Sequence, residues 1–135
     1  MDNAALKPSQ TFNVSHLKEA DFKGGGLRGY SVYRDLGVAA ATKGLATAHV
    51  IRMVAPFTEQ LSERHHHNVE FQLVYVLKGW FKTEFEGHGA HVMKEGSCWI
   101  QPPGIRHTVL GWSDGCELLE VILPAEHETV TDTGA

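Results

Sequence analysis

The sequence predicts a single all-β domain of the sandwich or barrel kind, and two observations carry that prediction. Short strand-like runs recur along most of the chain, each closed off by Gly, Pro, Asn or Asp, the residues that tolerate tight-turn dihedrals. No stretch shows apolar residues at helical spacing for more than a few turns. A chain of 135 residues fits one domain and is long enough to bury a real core.

Residues 1–27 are mixed and weakly periodic, and are read as an N-terminal arm with one helical turn around His16 to Asp21. Gly24, Gly25 and Gly26, with Gly29 nearby, superficially resemble a phosphate loop. Phosphate loops need a strand before the glycines and a helix after them. Here the strand-like Tyr30-Ser31-Val32-Tyr33 follows, so a flexible turn is expected. Strands are then expected at 28–36, 45–55, 69–77, 80–86, 90–94, 97–101, 106–112 and 116–123. The dividers include Gly37 to Gly44, Pro56 to Asn68, Lys78-Gly79, Pro102-Pro103-Gly104 and Ser113-Asp114-Gly115. The domain therefore spans 28–124, and 125–135 form a C-terminal tail.

Alternation in the central strand assigns faces. Glu70, Gln72, Val74 and Val76 share one, and Phe71, Leu73, Tyr75 and Leu77 share the other. If Gln72 points inward, the second face is a strongly apolar outer surface. Such a patch is normally covered, so another strand, the arm or a second subunit should lie on it. A homodimer is the expectation.

Composition excludes several classes. The net charge of -4, with Lys and Arg scattered, argues against a nucleic-acid partner. No apolar run approaches the ~20 residues needed to span a bilayer. The first fifteen residues lack the basic start and apolar centre of a secretory signal, so a cytoplasmic location is expected. Cys98 and Cys116 form no Cys-x-x-Cys motif and are expected as two small buried hydrophobes without a disulfide. No Ser stands in a nucleophile elbow, and no carboxylate pair is spaced for glycosidic cleavage.

The histidines carry the chemistry. His65, His66 and His67 stand directly before a strand-like run, and His107 follows the Pro102-Pro103-Gly104 turn. Imidazole is the commonest protein ligand for divalent transition metals, because its neutral nitrogen donates a lone pair without adding charge. Two histidines two apart, joined by one from a distant strand, can set three nitrogens on one side of an ion and leave the other side open. His66 points away from its neighbours in extended chain and is left out. His49 could line the same cavity, although a lone strand histidine is more often a packed or surface residue. The aromatics Trp80, Phe81, Phe85, Trp99 and Trp112 are expected chiefly in the core and at interfaces. Arg106 could reach a carboxylate at the barrel mouth, but strand parity turns it the other way.

These residues resemble the two signatures of the cupin superfamily, in order. The first is similar to His-x-His, three or four residues, Glu, six residues, Gly, and reads here His65-x-His67, four residues, Gln72, six residues, Gly79. The second is similar to Gly, five residues, Pro-x-Gly, two residues, His, three residues, Asn. It reads here Gly96, five residues, Pro102-x-Gly104, two residues, His107, three residues, Gly111. The resemblance covers about 45–123 and implies a small single-domain jelly-roll β-barrel. It further implies that His65, His67 and His107 hold one divalent transition metal (Fe, Ni, Mn or Zn), with Gln72 or water completing the shell. Cupins commonly dimerise, in keeping with the apolar outer face.

Two positions depart from the pattern. Gln72 stands where the family usually supplies a Glu ligand, and Gly111 where it has Asn. An amide cancels no metal charge, so the site keeps a formal +2. Glu70, two residues earlier, is the candidate to restore the missing charge, as a ligand or as a catalytic base. The resemblance implies a metal-dependent enzyme, dioxygenase-like or an isomerase or lyase, on a small oxygen-rich organic substrate. The alternative is a non-enzymatic module that binds or senses a metal or small molecule.

Overall fold

The computed structural model describes residues 10–25, 28–61 and 63–132. Eleven strands follow one another among these residues, with one short helix. They are β1 (Lys23–Gly25), β2 (Arg28–Asp35), β3 (Thr47–Met53), β4 (His65–Asn68) and β5 (Phe71–Lys78). Then come β6 (Trp80–Phe85), β7 (Gly89–Lys94), β8 (Cys98–Ile100), β9 (His107–Trp112), β10 (Glu117–Leu123) and β11 (Glu128–Thr131). The helix α1 (Val38–Ala41) is a single turn. All strand pairs are antiparallel, in a six-stranded sheet ordered β1-β2-β3-β10-β5-β8 and a five-stranded sheet ordered β11-β4-β9-β6-β7. Consecutive strands alternate between the two sheets at β3/β4, β4/β5 and β5/β6, which is how a jelly roll wraps two sheets around one interior.

The inner faces make the core. Val74 and Val76 of β5, Ile51 and Met53 of β3 and Leu118 of β10 meet Phe81 and Trp112 from the facing sheet. Each large apolar side chain taken fully out of water there contributes about 1.5–3 kcal/mol. The alternation expected for β5 holds. Gln72, Val74 and Val76 are buried, while Phe71, Tyr75 and Leu77 stand exposed on the outer face. Ile100 of β8 extends that outer apolar surface.

The described part of the arm, 10–25, runs outside β2 and β3. Thr11 N–H donates to the Ala41 carbonyl at 2.8 Å and Asn13 Nδ2 to the Leu36 carbonyl at 2.9 Å. Arg34 donates to Ser15 Oγ at 3.1 Å, and Arg52 pairs with Glu19 at 2.8 Å while lying 3.9 Å over the Phe22 ring. Glu19–Asp21 form the expected helical turn. Phe12, at 91% exposure, Val14 and Leu17 point away from the body into solvent.

Several elements lie outside the expected bounds. β4 falls inside the stretch read as a divider, because three histidines and an asparagine carry no apolar period. Its strand character comes from pairing with β11 on one side and, through His65 opposite His107, with β9 on the other. β11 arises from the segment read as tail, and β1 from the arm and its glycine turn, whose Gly26 and Leu27 lie outside the described residues. Cys116 is fully buried and its thiol is pushed up to about 11 by burial, but Cys98 is exposed beside Tyr75 on the outer face, so only one of the two cysteines packs as a core residue. The two remain free.

Two motif glycines have steric reasons. Gly79 turns β5 into β6 at φ 76°, and a Cβ there would overlap the Ser113 hydroxyl, which holds the Trp80 N–H at 2.9 Å. Gly79→Ala is expected to cost about 1–3 kcal/mol, read as a lower urea midpoint at unchanged m. Gly111 lies under the Trp80 ring, where a Cβ would sit 3.3 Å from the ring carbons. A side chain at that position requires the exposed Trp80 ring to give by a few tenths of an ångström.

Candidate metal centre

His65 and His67 share the inner face of β4, and His107 opens β9 directly opposite His65. The three rings cluster, with centroids 4.1 Å apart for His65–His107, 5.0 Å for His65–His67 and 5.1 Å for His67–His107. One ligand atom from each lies within 4.8 Å of the other two. Their tautomers are set from behind. His65 Nδ1 lies 2.8 Å from the Glu63 carbonyl and His107 Nδ1 3.0 Å from the Ile105 carbonyl. A carbonyl only accepts, so each Nδ1 carries the proton and each Nε2 keeps its lone pair. His67 Nδ1 meets Thr129 Oγ1 of β11 at 2.8 Å. Carbonyls and a hydroxyl behind ligating imidazoles are the arrangement that orients them toward an ion.

The site also keeps two of these rings, His67 and His107, neutral. Burial, followed by the charge His107 and His65 would carry, pushes His67 down to about 3. Burial and then His65 push His107 down to about 4, against the pull of its bond to Ile105. Neutral imidazoles with lone pairs converging on one point fit a divalent ion. His66, as parity predicts, faces away and pairs with Asp132 at 3.0 Å.

The three histidines open onto a cavity of about 650 Å³ between the sheets. Gln72 lies in its wall, but both ends of its amide are engaged. Its Nε2 donates to Glu120 Oε2 at 2.6 Å, and its Oε1 accepts from Gln101 Nε2 at 3.1 Å. Gln101 accepts in turn from Trp99 Nε1 at 3.1 Å and lies 3.4 Å from His107 Nε2. Glu70 does not reach the cavity. It occupies the bend before β5, where its side chain is exposed and the walls do not include it.

The carboxylate at the cavity is Glu120, in the middle of β10 directly opposite His49 of β3. His49 Nε2 donates to Glu120 Oε1 at 2.6 Å, with the two side chains 19% and 16% exposed. Burial alone would raise the Glu120 pKa. The His49 hydrogen bond and charge, then Gln72 and His67, outweigh it and hold the carboxyl below the ordinary carboxylate range. His49 thus does line the cavity. Glu120 is the candidate site residue that sequence reasoning passed over. The available signal was a lone charge in Leu118-Leu119-Glu120-Val121-Ile122, a run that otherwise reads as buried strand. Arg106 is directed outward, to Asp132 at 3.2 Å and Glu86 at 3.6 Å.

The segment 53–122, just over half of the chain, matches the family model for the cupin domain. The chain belongs to the cupin family. No curated protein matches it closely. Among solved structures, this cupin is similar to the polyketide cyclase RemF from Streptomyces resistomycificus, at 18% identity over 90% of this chain and 87% of that one, with a TM-score of 0.67. It is similar to KdgF from a Halomonas species, at 15% identity over 83% and 96%, TM-score 0.64. It is also similar to the DMSP lyase DddQ from Ruegeria pomeroyi, at 18% identity over 89% and 62%, TM-score 0.64. At such identities the likeness establishes the fold. No helix among the described residues is long and apolar enough to cross a membrane.

Proposed function

We propose that this cupin is a metal-dependent enzyme that moves a proton on a small oxygen-rich organic substrate. The carrying observation is the set of three imidazoles converging at the wall of a cavity that also holds one ionised carboxylate. His65, His67 and His107 would hold one divalent transition metal, Fe, Ni, Mn or Zn. Bound there, such an ion supplies Lewis acidity, lowering the pKa of a substrate hydroxyl or of a C–H beside a carbonyl.

The chain's own residues supply the rest. Glu120 is the base in this reading, in place of Glu70, because its carboxylate faces the cavity and Glu70 does not. His49, bonded to its other oxygen, holds Glu120 in position and can share the proton it takes up. Gln72 acts through Glu120. Its amide anchors the carboxylate to the Gln101 side of the wall, so that an ion there would be held by the three imidazoles and not by Gln72. The negative charge that a glutamate would bring at position 72 is thereby supplied one strand away, unligated, where it can accept a proton. The cyclase and lyase activities of RemF and DddQ, proteins of the same fold, support this chemistry over a purely structural role.

The test is α-proton exchange in D2O, followed by NMR on a panel of hydroxyketones with zinc-, nickel- and iron-loaded protein. Metal-dependent exchange, lost in Glu120→Gln, is the expected outcome. Oxygen uptake with Fe(II) on diketones or flavonols, without exchange, would instead make it dioxygenase-like. Neither activity, with a metabolite bound and recovered unchanged, would make it a binding or sensing module.

We also propose a homodimer in the cytoplasm. Among the described residues, Phe71, Tyr75, Leu77 and Ile100 leave the outer sheet face apolar and exposed, while Phe12, Val14 and Leu17 offer a second apolar surface. The exposed free thiol of Cys98 suits a reducing compartment. Light scattering behind a sizing column should report twice the 14.9 kDa chain mass, and a particle of one chain mass at micromolar concentration would contradict it.

A further inference from the structure

The cavity's walls combine three properties that narrow what it can take. The first is charge. Among the described residues, none of its wall residues is a lysine or arginine, and Glu120 is the one carboxylate. Recognition of a carboxylate or phosphate normally recruits a guanidinium or ammonium, but Arg64 and Arg106, which directly precede β4 and β9, are already paired, Arg64 with Glu84 and Arg106 with Glu86 and Asp132. Any anionic group carried beyond the metal end would therefore meet Glu120 with like charge and no compensation.

The second is a set of aromatic planes at nearly one orientation. Trp112 lies 10° from Phe81 and 26° from Tyr30, and Trp99 lies 16° from Phe81, with centroids 5.1–6.3 Å apart. Flat apolar faces aligned in this way favour a flat apolar guest.

The third is a pair of hydroxyls without partners. Ser31 on β2 and Thr83 on β6, 2% and 1% exposed, stand in the cavity wall from opposite sheets, and their hydroxyl oxygens, closed off from solvent, make no hydrogen bond among the described residues. A hydroxyl buried without a partner costs about 1–3 kcal/mol, which a ligand's polar group can recover.

From these we infer that the cavity takes an uncharged, flat aromatic compound bearing two or more hydroxyl groups. Its ring lies along the planes of Phe81, Trp99 and Trp112. One hydroxyl donates to Glu120, and others pair with Thr83 and Ser31. This rests on the cavity being the substrate site, but it makes no demand on which metal is present.

The experiment is calorimetric titration of 2,7-dihydroxynaphthalene against 2-naphthoate, on metal-free protein and again on zinc-loaded protein. The diol is expected to bind the metal-free form at least tenfold more tightly than the carboxylate. Glu120→Leu should weaken diol binding about tenfold and leave naphthoate unchanged or tighter. Thr83→Val, which keeps the side chain's shape, should weaken the diol several-fold and guards against a Glu120 variant that folds poorly. Naphthoate binding as tightly as the diol, or diol binding indifferent to both substitutions, would overturn the inference. Loss of zinc binding with the diol preference intact would count against the metal-enzyme reading alone.

Discussion

Metal-free protein is expected to lose about 2–5 kcal/mol of stability between pH 7.5 and pH 4.5, enough to bring a domain of ordinary stability close to unfolding. His67 and His107 stay neutral in the fold until about pH 3 and 4, whereas in the unfolded chain they take up protons below about pH 6.5. Over that window the unfolded state binds more protons, so stability falls as the pH falls, by up to about 1.4 kcal/mol per pH unit for each histidine. Below about pH 4.5 the depressed carboxyl of Glu120 adds a loss of the same sign. Urea midpoints measured in chelator at pH 7.5, 6 and 4.5 check this, and a flat series would contradict it. Zinc should raise the pH 7.5 midpoint by mass action, by about 2.7 kcal/mol at a hundredfold excess over its dissociation constant. It should also steepen the acid loss, because protons and metal compete for the same three lone pairs.

Replacing Glu120 with leucine is expected to cost about 2–4 kcal/mol, the second large effect. The carboxylate accepts from both His49 and Gln72, and its removal leaves one buried and one half-buried donor without acceptors. Glu120→Gln keeps an acceptor oxygen and should recover part of that loss. Because His49 and Glu120 act as a pair, the double variant with His49→Leu should be less destabilised than the sum of the single changes. Metal content should stay near that of the parent, since Glu120 stands outside the three-histidine group. Denaturant midpoints with metal analysis on the same samples separate these effects. An unchanged midpoint for Glu120→Leu would mean the network carries no stability.

Much of this was legible in the sequence because the strands that form the body alternate cleanly. β2, β3, β5, β6, β7, β8, β9 and β10 fall within about two residues of their expected runs, and the inward set of β5 follows parity from Gln72 to Val76. The same parity separates His65 and His67 from His66. What was not legible depends on pairing between distant segments. β4 and β11 are strands because each completes the other, and neither has an apolar period of its own. Glu70 and Gln72 are two apart and share a face only while the strand lasts. The chain bends at Glu70, one residue before β5 begins, and the alternation argument ends there. Glu120 went unrecognised for the complementary reason. Its strand was expected, but parity alone does not say which face of 116–123 is inward until β10 is set between β3 and β5.

The central claim is that three imidazoles, without a protein carboxylate, hold one transition metal in this barrel. Its most direct test is metal per chain by plasma mass spectrometry, on tag-free protein purified without chelator and then reconstituted. The parent, His66→Ala, Glu70→Gln and the three single variants His65→Ala, His67→Ala and His107→Ala are compared side by side. Near one equivalent is predicted in the parent, His66→Ala and Glu70→Gln, with at least a tenfold loss of affinity in each of the other three. Equal metal in all six proteins, or none in the parent after reconstitution, would contradict it.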